Sequence, residues 1–108
     1  MKNKVSFKIN LDDLFKITEH IIYRWEPKIE NGTLFIFNYK QGRFFKLNKP
    51  YYIVFSLLKK GPMSMIGLID EISSNQSDKK DKYCVIIKNM ISELLEKGLI
   101  KVAKNDPE

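Results

Sequence analysis

The chain holds very little with which to do chemistry. One cysteine, Cys84, and one histidine, His20, occur among its 108 residues. A lone cysteine excludes an intramolecular disulfide, and the two residues together leave no set from which a zinc cluster could be drawn. They could form a Cys–His nucleophilic pair, but neither sits in a recognisable catalytic motif. Cys84 falls on a helical pattern, where packing in a core or a groove accounts for it. Nucleotide-binding glycine loops, metal-spaced clusters and nucleophile elbows are also missing. The expectation is a protein that is not an enzyme and takes no cofactor. No apolar run approaches the length that spans a bilayer, so no membrane partner is expected. Met1-Lys2-Asn3-Lys4 carries the charge of a signal-peptide start, yet Lys8, Asn10, Asp12 and Asp13 follow at once. Without an apolar signal segment, the expected location is the cytoplasm.

What is present is ordinary for a globular domain. Apolar residues make up 44% and charged residues 30%, which argues against wholesale disorder. The length suits one domain with one modest core. Lysine and arginine outnumber aspartate and glutamate by 19 to 13, for a net charge of +6. That balance suits an acidic partner, either nucleic acid or an acidic peptide, and does not choose between them.

Periodicity orders the chain. Residues 5–11 alternate, with Val5, Phe7, Ile9 and Leu11 apolar, which is a strand signal. Residues 12–17 read as a turn or a single helical turn. Residues 20–26 form the next strand pattern, stopped by Pro27, which cannot donate to a ladder. Glu30-Asn31-Gly32 supplies the positive φ values of a turn. Residues 33–39 are the strongest strand, Lys40-Gln41-Gly42 turns the chain, and residues 43–47 run back. The three make an antiparallel meander.

Helical spacing then takes over. Asn48 can cap a helix with Pro50 in its first turn, and Gly61-Pro62 ends it. Ser64 can cap a second helix that buries Met65, Leu68, Ile69 and Ile72. Asp78 followed by Asp81 resembles a capping box for a third. Its inward stripe is Tyr83, Ile87, Met90, Ile91 and Leu94, and Gly98 stands where a C-terminal cap belongs. Residues 99–102 can add a short wing, and residues 103–108 form a tail. The fold class is α+β: a three-stranded antiparallel sheet followed by three helices. Three segments result, namely an N-terminal extension over 1–19 that can supply an extra strand, a domain over 20–102, and the tail.

Two features exceed what a simple core needs. Phe35, Phe37 and Tyr39 point to one side of their strand while Leu34 and Ile36 point to the other, so both faces call for cover. The third helix has a wide apolar arc in which Cys84, Ile86 and Leu95 flank the inward stripe, with Lys80, Lys82 and Lys88 near its outer flank.

This layout resembles the PqqD-like family, the small domains that recognise ribosomally made, post-translationally modified peptides. The residues that carry the resemblance are Arg24-Trp25-Glu26, Gly42, Leu47-Asn48, then Ile53, Leu57, Leu58 and Gly61, then Leu68, Ile69 and Ile72, and finally Leu94-Leu95-Glu96-Lys97-Gly98-Leu99-Ile100. The resemblance implies a winged helix-turn-helix-like domain that binds the leader of a precursor peptide and presents it to a modifying enzyme. The leader adds as a strand in a groove between the third strand and the third helix. On this sequence the groove comprises Arg43, Phe44, Phe45, Lys46 and Leu47 on one side. Tyr83, Cys84, Ile87, Lys88, Ile91 and Leu95 form the other. The physics of strand addition agrees: backbone bonds hold an extended peptide, and pockets for alternate side chains select it. Phe7-Lys8-Ile9-Asn10-Leu11-Asp12 looks like the Phe-x-Leu-Asp element of some leader peptides, so residues 5–11 are candidates to occupy that groove themselves. An open strand edge also makes a homodimer physically easy.

The competing reading is a winged-helix DNA-binding regulator. Net charge and helix order permit it. A DNA-reading helix needs exposed polar side chains in its N-terminal half, and residues 83–87 are mostly apolar. Arg24 and Arg43 are the only arginines. These features weigh against nucleic acid as the partner.

Overall fold

Alternation decides the central element. Leu34 and Ile36 are completely buried, whereas Phe35 is half-buried and Phe37 exposed. The computed structural model describes residues 9–10, 12–74 and 77–103, and the architecture is that of these residues. The elements run β1 (Leu14–Ile17), β2 (Ile21–Glu26), β3 (Thr33–Asn38), β4 (Arg43–Asn48), α1 (Lys49–Lys59), β5 (Met63–Ser64), α2 (Met65–Ile72), α3 (Lys80–Glu96) and β6 (Ile100–Val102). The class is α+β.

The strands form two small antiparallel sheets of three strands each, rather than the single sheet expected from the sequence. One is the anticipated meander, ordered β2-β3-β4, with Ile36 opposite both Tyr23 and Phe45. Its first turn uses three residues with positive φ, Glu30, Asn31 and Gly32. Its second is held by Asn38, whose buried carboxamide oxygen accepts from the backbone N–H groups of Lys40 and Gln41, each at 3.0 Å. The other sheet is ordered β5-β1-β6. Here the expectation of a turn or helical turn over residues 12–17 is corrected: Leu14–Ile17 is a strand between two partners. Of the strand expected over 5–11, Ile9 and Asn10 are irregular, and the remainder lies outside the described residues.

The helices follow their caps. Pro50 sits in the first turn of α1, and the Asn48 side chain makes no capping bond. The Ser64 hydroxyl accepts from the N–H of Gly67 and starts α2. The capping box expected at Asp78 does not form. Residues Ser77–Lys79 make a 3-10 turn instead, Lys79 occupies the cap of α3, and no side chain bonds there. Gly98, with φ of 74°, takes the left-handed position just past α3.

One core serves both sheets. α1 packs on β1 as well as on β3 and β4, and α2 packs on α3. Phe15, Leu34, Ile36, Phe55, Leu68, Ile91, Leu94 and Leu99 are all completely buried in it. Phe15 comes from the strand that the periodicity did not reveal.

Candidate functional site

β4 is one of the two outer strands of its sheet, with β2 the other, so its far edge has no strand partner among the described residues. The pleat splits its side chains. Arg43, Phe45 and Leu47 share the core-facing side, where Phe45 and Leu47 are half-buried and Arg43, at the end of the strand, is exposed. Phe44 and Lys46 are exposed on the other side. The Arg43 guanidinium lies 4.9 Å from the centre of the Phe45 ring, and the Lys97 ammonium lies 5.9 Å from the same ring. Phe45 therefore has a cation on two approaches, a contact favoured by the negative face of the ring.

Lys97 brings the C-terminal end of α3 to this strand. Its ammonium is 3.4 Å from the Glu93 carboxylate one turn earlier. Glu93 in turn accepts a hydrogen bond from the Tyr51 hydroxyl on α1. Burial, then the hydrogen bond and charge of Glu93, push the Tyr51 hydroxyl up to about 12, so it stays protonated and donating at neutral pH. Arg43, Phe45, Tyr51, Glu93 and Lys97 thus link β4, α1 and the end of α3. At the other end of β4, a cleft of about 260 Å³ is lined by Glu30, Gly32, Thr33, Lys46, Leu47 and Asn48.

The α3 side of the expected groove is distributed differently. Ile87 and Ile91 are 1% and 0% exposed and belong to the core, so neither presents a side chain to a ligand. Cys84 is half-buried in a cleft of about 240 Å³ between α2 and α3, with Ile66, Ile69, Asp70, Lys80 and Asp81. Tyr83 and Leu95 are half-buried, and Lys88 is exposed. Lys80 is engaged by Asp70 at 2.7 Å. Beside this core packing, Glu93 of α3 meets Tyr51 on α1 and Lys97 meets the Phe45 ring on β4.

Sequence reasoning missed Tyr51, Glu93 and Lys97 as members of this site. Tyr51 and Glu93 lie 42 positions apart. The one available signal was the Glu93–Lys97 pair at helical spacing, which is common on solvated helix faces.

Among the described residues, no group of three or more His, Cys, Asp or Glu side chains could hold a metal ion. No helix among them is long and apolar enough to cross a membrane. No family model matches the chain, no curated protein matches it, and no solved structure matches it.

Proposed function

We propose that the chain is a noncatalytic peptide-recognition module. An extended segment, the leader of a ribosomally made precursor, adds as a strand to the outer edge of β4 and is delivered to a modifying enzyme. The observation that carries this reading is the β4 edge, which has no strand partner among the described residues, beside the Arg43–Phe45–Lys97 cluster. Unpaired backbone groups supply affinity, and the alternating side chains of β4 supply selectivity. Two cations at one end would favour acidic side chains in the bound segment. Three further features support a winged helix-turn-helix-like arrangement: the element order from α1 to β6, the packing of α2 on α3, and the pairing of β5 and β6 with β1. They are what relates this reading to the PqqD-like resemblance.

The DNA-regulator reading is weaker on the same geometry. The first turns of α3 expose Val85 and Ile86, which cannot hydrogen-bond base edges, and Lys80 is held by Asp70.

Fluorescence anisotropy with labelled leader peptides encoded beside the gene tests the proposal, with a labelled duplex as control. Strand addition has a specific signature. Only alternate backbone N–H groups of an added strand face the protein. Methylating one alternate set of peptide nitrogens should therefore abolish binding, and methylating the other set should spare it. Equal effects from both sets would sink the strand-addition mechanism. Duplex binding with no leader binding would move the regulator to first place.

A further inference from the structure

The outer face of the β2-β3-β4 sheet is the least explained surface of the molecule. Register places its residues in rows across the three strands. Ile22, Phe37 and Phe44 form one row, Arg24, Phe35 and Lys46 the next, and Glu26, Thr33 and Asn48 the third. All nine alternate with the inward set that contains buried Leu34 and Ile36. A wet sheet face is normally polar. Here Ile22 and Phe44 are each 60% exposed, Phe37 is 38% exposed, and Tyr39 beyond them is 56% exposed. The Phe35 and Phe44 rings lie nearly parallel, with centres 5.8 Å apart. Phe37 and Phe44 stay exposed among the described residues, and Phe35 between them is half-buried.

Aromatic character and charge narrow the occupant. Three of the four apolar positions are phenylalanine, and the middle row sets a cation on each side of Phe35. The Arg24 side chain is 79% exposed and that of Lys46 is 52% exposed. A second copy of the chain would bring another net charge of +6, whereas a single-stranded nucleic acid brings the opposite sign. We propose that this face is a binding platform for single-stranded nucleic acid. Bases stack on Phe37 and Phe44, and phosphates meet Arg24 and Lys46. The chemistry fits on both counts, because every base has a π-face and every linkage a negative charge. Glu26 now pairs with Arg24, and Glu30 lies 3.8 Å from Lys46, so an arriving phosphate exchanges with a carboxylate at each cation. Arg24 and Lys46 are taken up by phosphates, and stacking on a ring does not depend on base identity, so the platform accepts bases with little preference. This site shares Phe44 and Lys46 with the strand that offers its edge to a peptide, but it uses the face of the sheet rather than the backbone edge. The residues that distinguish the two are Phe37, Arg24 and Glu26, which lie on β3 and β2.

The test is anisotropy of the full chain with fluorescein-labelled oligothymidylate and oligouridylate, at two salt concentrations, against a mixed-sequence duplex. Saturable single-strand binding, tighter than duplex binding, is expected. Phe37→Leu keeps an apolar side chain but removes the ring, and should weaken binding about tenfold. Phe37→Trp should bind at least as tightly as the native chain. Arg24→Gln should reduce the dependence of log affinity on log salt by about 0.7. Glu26→Gln, which frees Arg24, should tighten binding. No saturable single-strand binding at low salt overturns the proposal. So does binding that Phe37→Leu leaves intact while circular dichroism stays native, or binding no tighter than to duplex. Leader-peptide binding that survives Phe37→Leu would leave the β4 reading standing whatever the oligonucleotides do.

Discussion

The two sheets of this protein are built by opposite means. β2, β3 and β4 are consecutive, joined by short turns, and each pairs with its neighbour over six positions. β1, β5 and β6 are gathered from residues 14–17, 63–64 and 100–102, and β5 contributes only two positions. The first sheet rests on local turn chemistry. The second has too few ladder bonds to hold itself, so burial must hold it. The difference predicts where each sheet breaks.

The largest effect is expected in the second sheet. Phe15 is completely buried and is the residue by which β1 enters the core. Phe15→Ala should cost about 3–5 kcal/mol. Against a total of about 5–15 kcal/mol for a domain, that leaves a marginal fold. Urea unfolding would show a large drop in midpoint. Because one core serves both sheets, tryptophan fluorescence from Trp25 in the meander should fall with the same midpoint as circular dichroism. Separate midpoints would mean that the two sheets unfold independently.

The meander should break first at Gly32. Its φ is 111°, and a Cβ there would stand 2.4 Å from the Trp25 ring. That ring cannot easily retreat, since it stacks on Tyr52 at 4.1 Å with planes 3° apart. Gly32→Ala combines backbone strain of about 1–2 kcal/mol with overpacking of about 1–3 kcal/mol, for a loss of about 3 kcal/mol. Gly42 is the internal control. Its φ is 69°, but nothing lies within 4 Å of the Cβ position. Gly42→Ala should carry the backbone part alone, about 1–2 kcal/mol. Equal losses at both glycines would remove the Trp25 contact from the account.

The contrast between the sheets also explains what could be read in advance. The meander was legible because alternation and turn residues lie in one continuous stretch, and strands expected over 20–26, 33–39 and 43–47 appear within a residue of those bounds. Ser64 and Gly98 marked helix ends because their reasons are local too. β1 was not legible. Leu14 is exposed, Phe15 buried, and Lys16 and Ile17 half-buried, so four residues carry no clean period. Its partners lie more than forty positions away. The candidate site divides in the same way. The strand side was read as a strand and is one. Ile87 and Ile91 were assigned both to the inward stripe and to the groove, and a side chain on one face of a helix cannot serve both. Which flank of α3 meets β4 depends on how the helix is rotated about its axis, and that follows from tertiary packing. Ile87, Met90, Ile91 and Leu94 are buried in the core, which leaves Glu93 beside Tyr51 and Lys97 beside Phe45.

That seam offers a smaller perturbation. Tyr51→Phe removes the hydroxyl that Glu93 accepts and leaves the ring in place. A hydrogen bond to a charged acceptor contributes about 1.5–3 kcal/mol, and partial exposure with the nearby Lys97 should keep the loss near about 1 kcal/mol. Urea unfolding measures it. The sharper readout is peptide affinity. If the α1–α3 seam positions Lys97 over Phe45, leader binding should weaken more than stability does. Unchanged affinity would confine Tyr51 to a stabilising role.

The smallest effect is expected at Glu19, in the connection between the two sheets. Its carboxylate lies 2.7 Å from Lys101 on β6 and 3.5 Å from Lys16 on β1. The hydrogen bond from Lys101, then a hydrogen bond from the backbone, and the charges of both lysines lower the carboxyl from 4.5 to about 2. A carboxyl depressed in the folded state contributes stability that is complete above its unfolded value of 4.5. The contribution is lost as pH falls from there through about 2. Glu19→Gln should therefore flatten the acid limb of the stability curve over that interval and leave the alkaline side unchanged. The group is exposed, so solvent screens it, and added salt should shrink the difference between the two proteins. Unfolding midpoints measured across the acid range at low and high salt decide the matter. Parallel acid limbs at low salt would show that these ion pairs do not bind β1 to β6, and that burial of Phe15 holds the second sheet without them.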